Sequence, residues 1–150
     1  MVLQVLCDTN VYVEAFRMQR QGFHAKQVFD TALAGEFQIA YCEIVRFEIA
    51  NKYPYFTPAL EEILALFSKN NALRPIEVSK EDLQRARELD KKLQKYDFFQ
   101  KQYGKFGTND CLFLVLAQEH GCLFLSCEKE LVRAAREMGI DAASPMEFIS

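Results

Sequence analysis

The chain has 150 residues, 18 of them basic and 21 acidic, for a formal net charge of −3; half are apolar and 26% are charged. That composition is globular, the length suits one domain over 1–150, and no run of about 18 or more apolar residues exists to span a bilayer. The acidic balance excludes attachment to nucleic acid by bulk positive charge, so any such contact runs through a local basic surface or through bound cations.

The first element is the apolar run Val2 to Cys7, broken by Gln4 and ending at Asp8-Thr9-Asn10. It reads as a buried strand entering a polar turn. Asn10 is expected to cap a helix with Val11, Val13, Ala15 and Phe16 on its apolar side. A second helix starts near His24, carries Ala25, Val28, Phe29, Ala32 and Leu33 on one face, and stops at Gly35. Phe37 to Tyr41 reads as a strand, followed by a helix through Ile44, Val45, Phe47 and Ile49 that Tyr53-Pro54 ends. Thr57-Pro58 opens the next helix, whose core face is Leu60, Ile63, Leu64 and Phe67.

Pro75 to Val78 is expected as a short edge strand. Ser79 then caps a charged helix with an apolar stripe of Leu83, Ala86, Leu89, Leu93 and Tyr96. Lys91, Lys92 and Lys95 belong to its solvated face. Periodicity fails from Asp97 to Gly107, which reads as a loop. Thr108 is expected to cap a helix over Asn109 to His120, apolar throughout Cys111 to Ala117 and therefore central. Gly121 ends it. Cys122 to Ser126 is a strand, a helix through Leu131, Ala134, Ala135 and Met138 ends at Gly139, and Ile140 to Ala143 is a last strand. Strands separated by helices pair in parallel through right-handed crossovers, which gives a three-layer α/β/α sandwich around a central parallel sheet.

The opening residues lack the basic start and long apolar stretch of a signal peptide, so a cytoplasmic location is expected. Cys7, Cys42, Cys111, Cys122 and Cys127 form no C-x-x-C pair, and an odd count argues against a disulfide framework. His24 and His120 stand alone, which leaves zinc without a ligand set. Although three cysteines flank candidate acids, Cys7 alternates with Asp8 along a strand and points away, so core packing is their expected role.

In open parallel sheets, ligands bind beyond the carboxyl ends of the strands. Asp8 follows the first strand, Glu43 and Glu48 the second, Glu128 the third, and Asp110 opens the central helix. Gathered carboxylates repel one another and are relieved by keeping a proton or by binding a divalent cation. Oxygen ligands without imidazole or thiolate partners favour Mg²⁺ or Mn²⁺. Such ions suit phosphodiester hydrolysis, because they acidify water, orient phosphate and offset charge on its oxygens. Asp110 also faces the positive end of its helix, which is expected to lower its pKa; assisting the cap at Thr108 is the plainer role for it.

At these positions the chain resembles the PIN domain family. Val-Leu-Cys-Asp-Thr-Asn-Val (5–11) looks like the family's opening strand, and 39–51 resembles its second motif, a strand followed by a helix bearing an acid. Thr-Asn-Asp-Cys-Leu-Phe-Leu-Val-Leu-Ala (108–117) resembles the family's Asp at the head of an apolar helix, and 123–131 its strand ending in Thr/Ser-x-Asp. The resemblance implies a metal-dependent nuclease acting on RNA, often the toxin of a VapBC-type toxin–antitoxin pair. It carries the catalytic and metal-binding roles onto Asp8, Glu48, Asp110 and Glu128, with Thr9, Asn10 and Ser126 in support. It also implies a small antitoxin over the acidic edge and a homodimer formed through apolar helices.

Two positions depart from simple expectation. Glu43 begins its helix nearest the strand ends, whereas Glu48 lies about 7.5 Å further along the axis at 1.5 Å per residue. Helical side chains lean toward the N-terminus, so Glu48 can reach back, and the residues around it resemble the family more closely. Glu128 stands where the family carries Asp, and its extra methylene suits contact with metal through water. Arg17, Arg20 and Lys26, together with Lys101 and Lys105 among Phe98, Phe99, Tyr103 and Phe106, form either a surface for a single nucleic-acid strand or ordinary charged surface and packing. The rival functions are a non-catalytic PIN-like nucleic-acid-binding or scaffold domain with a weakened metal site, and a haloacid-dehalogenase-type phosphotransferase. The latter expects a second Asp where this chain has Asn10.

Overall fold

The structure is a computed structural model that describes residues 2–19, 21–94 and 107–149. Tyr96, Lys95, Arg20 and nearly all of the aromatic, lysine-bearing segment from Asp97 to Gly107 lie outside the described residues.

Strand β1 (Gln4–Cys7) is the centre of a five-stranded sheet of order β3-β2-β1-β4-β5, in which every pairing is parallel. Its partners are β2 (Gln38–Tyr41) and β4 (Leu123–Leu125), with Val5 opposite Ile39 and Leu123. Strands β3 (Leu73–Pro75) and β5 (Ala142–Ala143) form the edges. Val5, Leu6 and Cys7 are wholly buried, as a central parallel strand covered on both faces requires.

Helices α1 (Thr9–Arg17), α2 (Gly22–Leu33), α3 (Ile44–Lys52), α4 (Thr57–Lys69), α5 (Lys80–Leu93), α6 (Thr108–His120), α7 (Lys129–Glu137) and α8 (Pro145–Ile149) complete the α/β/α sandwich. Seven consecutive residues of α6, Cys111 to Ala117, are buried. An apolar helix surface of this extent demands cover on all sides, and α6 packs against both α5 and β4. Four cysteines are buried thiols and Cys127 is half-buried, consistent with packing.

Local chemistry moves several boundaries from their expected places. Asp8, not Asn10, caps α1: its Oδ1 accepts from the Val11 N–H at 3.3 Å, a position one residue after the strand that frees Asn10 to point elsewhere. Gly107, not Thr108, precedes α6, and Asp110 Oδ2 accepts from the Gly107 N–H at 3.2 Å. Strand β3 ends at Pro75 instead of starting there, since Leu73 and Arg74 supply the ladder positions opposite Ile39 and Ala40. Phe47 is 66% exposed, on the outer side of α3 away from the buried Val45 and Ile49. Ser79 caps α5 as expected, in a reciprocal pair with Asp82 at 3.0 and 2.9 Å.

The approach of α2 to α1 depends on Gly22. A Cβ there would lie 2.3 Å from the Glu14 carbonyl oxygen. The Gly22→Ala variant is therefore expected to lose about 1–3 kcal/mol of stability, read as a lowered urea midpoint.

Candidate functional site at the carboxyl edge of the sheet

The crossover topology brings the carboxyl ends of β1, β2 and β4 to one edge. There Asp8, Glu48, Asp110 and Glu128 line a single cavity of about 480 Å³, together with Thr9, Asn10, Lys52, Tyr53 and residues 107–109. Asp8 follows β1 directly, and its backbone N–H extends the ladder to the Leu125 carbonyl at 3.1 Å. Asp8 is 2% exposed. Oδ1 caps α1 while Oδ2 accepts from the Ser126 hydroxyl at 2.6 Å. The same Ser126 oxygen accepts from the Glu128 N–H at 3.1 Å, which links the acids that follow β1 and β4.

Two consecutive residues at the head of α1 each hold another acid. The Thr9 hydroxyl donates to Glu48 Oε1 at 2.6 Å, and Asn10 Nδ2 donates to Glu128 Oε1 at 2.8 Å. Glu48 also meets Lys52, four residues on along α3, at 3.5 Å. Glu43 is turned away: Arg46 binds it at 2.7 Å and clasps Glu61 at 2.7 and 3.0 Å, outside the cavity. The i,i+3 spacing of Glu43 and Arg46 signals that pairing in the sequence.

The clustering marks the protonation of the acids. Burial, above all, pushes the Asp8 carboxyl well above the ordinary range; the Ser126 hydrogen bond opposes this, and the charges of Glu128 and Asp110 add to it. Burial raises Asp110 to about 6, against the Gly107 N–H and with the charge of Glu48 added. The expected lowering by the helix terminus is thus outweighed by desolvation. Glu128 rises to about 7 through burial and the charge of Asp110, opposed by the Asn10 amide.

These donors are carboxyl, hydroxyl and amide oxygens, the set that suits a hard divalent cation. Among the described residues no group of three acidic, imidazole or thiol side chains forms a ready-made metal cage. The fit is that of an open site, where a cation takes one or two carboxylates and keeps several waters. Acids raised chiefly by burial, and further by one another's charge, present the imbalance that such an ion relieves. Lys52 and Tyr53 line the cavity but were legible in the sequence only through the i,i+4 spacing of Lys52 from Glu48.

An all-parallel α/β/α sandwich with an acidic cavity at the carboxyl edge of its sheet defines the class. Residues 5–137 match the PIN domain family, and the chain belongs to that family. No curated protein matches the chain. Among solved structures, the fold is similar to VapBC2 from Rickettsia felis bound to a DNA fragment from its promoter, at 18% identity, TM-score 0.60, and 95% and 98% coverage of this chain and that one. It is also similar to a toxin–antitoxin complex from Klebsiella pneumoniae, at 17% identity, TM-score 0.61, and 94% and 97% coverage. VapBC-1 from nontypeable Haemophilus influenzae matches at 11% identity, TM-score 0.59, and 96% and 99% coverage.

The raised Glu128 has a thermodynamic signature. A folded-state pKa above the unfolded value means the native state holds the extra proton, so this stability is present at low pH and lost as pH rises through about 7. Glu128→Gln keeps an acceptor for Asn10 and removes the titration. Relative to wild type, its melting temperature is expected to rise progressively from about pH 5 to about pH 8 in metal-free buffer. A constant difference across that range, followed by thermal unfolding, would contradict the assignment.

Proposed function

We infer that the chain is a Mg²⁺- or Mn²⁺-dependent endoribonuclease and the toxin of a toxin–antitoxin pair. The observation that carries this reading is the convergence of Asp8, Glu48, Asp110 and Glu128 from four separate segments onto one cavity. Family membership supports a nuclease, and the likeness to toxin–antitoxin complexes supports a small antitoxin as partner. In this reading the protein works in the cytoplasm, its antitoxin covers the acidic edge, and it pairs with a second copy through apolar helices. Among the described residues no helix is long and apolar enough to cross a membrane.

Asp8 would ligate the cation directly, with Glu48 and Asp110 as further ligands or as orienters of its waters and Glu128 acting directly or through water. When bound, the ion supplies positive charge that acidifies the attacking water and neutralises charge on the phosphate oxygens. The chain's own groups supply the geometry. Ser126 fixes the Asp8 carboxyl, Thr9 fixes Glu48, and Asn10 fixes Glu128, so the acids stay aimed at the cavity with little reorganisation. Lys52 offers an ammonium at the cavity wall to a phosphate oxygen of the substrate.

Asp8→Asn tests the reading with little cost to folding, because an amide can still accept from Val11 and donate to Ser126. Losing a direct ligand is expected to reduce Mn²⁺-dependent RNA cleavage by more than the ~10–100-fold typical of an outer-shell partner, with circular dichroism unchanged. Calorimetric Mn²⁺ binding should weaken in parallel. Undiminished cleavage by this variant overturns the site, and absence of Mn²⁺ binding by the wild type favours a non-catalytic binding domain.

A further inference from the structure

Asn10, Glu14 and Arg17 are spaced four and three residues apart on α1 and therefore share one face. Asn10, Tyr53 and Glu128 line the four-acid cavity and also an adjoining one of about 280 Å³, which Glu14 and Arg17 enter from α1. Glu14 is only 9% exposed, and its Oε2 has no hydrogen-bond partner. A buried acceptor without a donor is costly, and a donor brought by a ligand would offset that cost. Glu14 does not line the four-acid cavity, so the chemistry proposed there leaves it unused.

The remaining walls narrow the class of ligand. The Arg17 guanidinium, which carries donors alone, lies 5.1 Å from the centroid of the Tyr53 ring. Gln21 accepts from the Met146 N–H through Oε1 at 3.3 Å, which leaves the amide nitrogen as its donor group. The cavity thus combines a buried acceptor, an aromatic ring and donors, the complement of a nucleobase edge beside a phosphate. Among RNA bases, guanine presents two adjacent N–H donors next to one carbonyl acceptor. Uracil sets its N–H between two carbonyl oxygens that a carboxyl group repels, and adenine and cytosine place a bare ring nitrogen beside their amine.

We propose that this second cavity is a base pocket that selects guanine next to the cleaved phosphodiester, with Glu14 accepting from the base and Arg17 and Tyr53 on its walls. The selection of a cleavage position rests on the nuclease reading; the binding of the base does not.

The test titrates the four nucleoside 5′-monophosphates into metal-free wild-type protein by calorimetry and maps Mn²⁺-dependent cuts in a random-sequence RNA pool. Guanosine monophosphate is expected to bind about tenfold more tightly than the other three. Glu14→Gln, which keeps the side chain's shape but places an amide N–H₂ against the donors of guanine, should bring all four to within about twofold. Cuts should cluster beside guanine in the wild type and disperse in the variant. Equal or absent binding of the four nucleotides by the wild type, which needs no variant to fold, overturns the pocket, as does a guanine preference that Glu14→Gln leaves intact. Cleavage without base preference overturns the pocket and leaves the nuclease standing. A guanine preference without any RNA cleavage overturns the nuclease and leaves the pocket.

Discussion

The structure depends on holding several like charges at one edge of a sheet against their mutual repulsion. Four carboxyl groups line one cavity, and among the described residues Lys52 is the cationic side chain that joins them there. Free chain segments would relieve such crowding by moving apart into water. Here the acids are carried by elements that cannot separate, because Val5, Leu6 and Cys7 of β1 are wholly buried and the strand is paired to β2 and β4. The packing of the sheet supplies the restraint, and the raised pKa values of Asp8, Asp110 and Glu128 register above all their burial, to which the charges of neighbouring acids add.

Hydrogen bonds then convert crowding into order. Asp8 uses one oxygen to start α1 and the other to receive Ser126, so the residue that ends the central strand also begins a helix and anchors the acid after β4. Each bond removes a rotamer choice that a loosely held carboxyl group would retain. The same economy appears in α1 as a whole: its buried side packs on the core, its face at Asn10, Glu14 and Arg17 looks onto two cavities, and its close contact with α2 requires Gly22.

The sheet and helices were legible where a single physical signal dominates. Val5 to Cys7, Phe124-Leu125 and the solid apolar run of Cys111 to Ala117 have no stable arrangement except burial, and they are buried. Boundaries were less legible where two residues compete for one task. Asp8 and Asn10 are both good helix caps, and the sequence does not reveal that strand pairing places Asp8 at the turn while Asn10 is drawn off by Glu128. Between Glu43 and Glu48, the i,i+3 spacing of Arg46 from Glu43 is a local signal, whereas the Thr9 hydroxyl that holds Glu48 at the cavity lies 39 residues away, where no local pattern records it. For Asp110 the helix terminus is visible in the sequence and burial is not, yet burial decides the direction of its shift. Glu14 escaped notice because an acid inside an amphipathic helix looks solvated until the surrounding chain closes over it.

The tethering of Glu48 by Thr9 and of Glu128 by Asn10 has a mechanical result. Neighbouring residues on a helix diverge by about 100° around its axis, so the two anchors pull in different directions from a common stem. A roll of α1 about its axis would draw one acid inward while letting the other retreat. The placement of Glu48 relative to Glu128 is therefore tied to the rotational setting of α1.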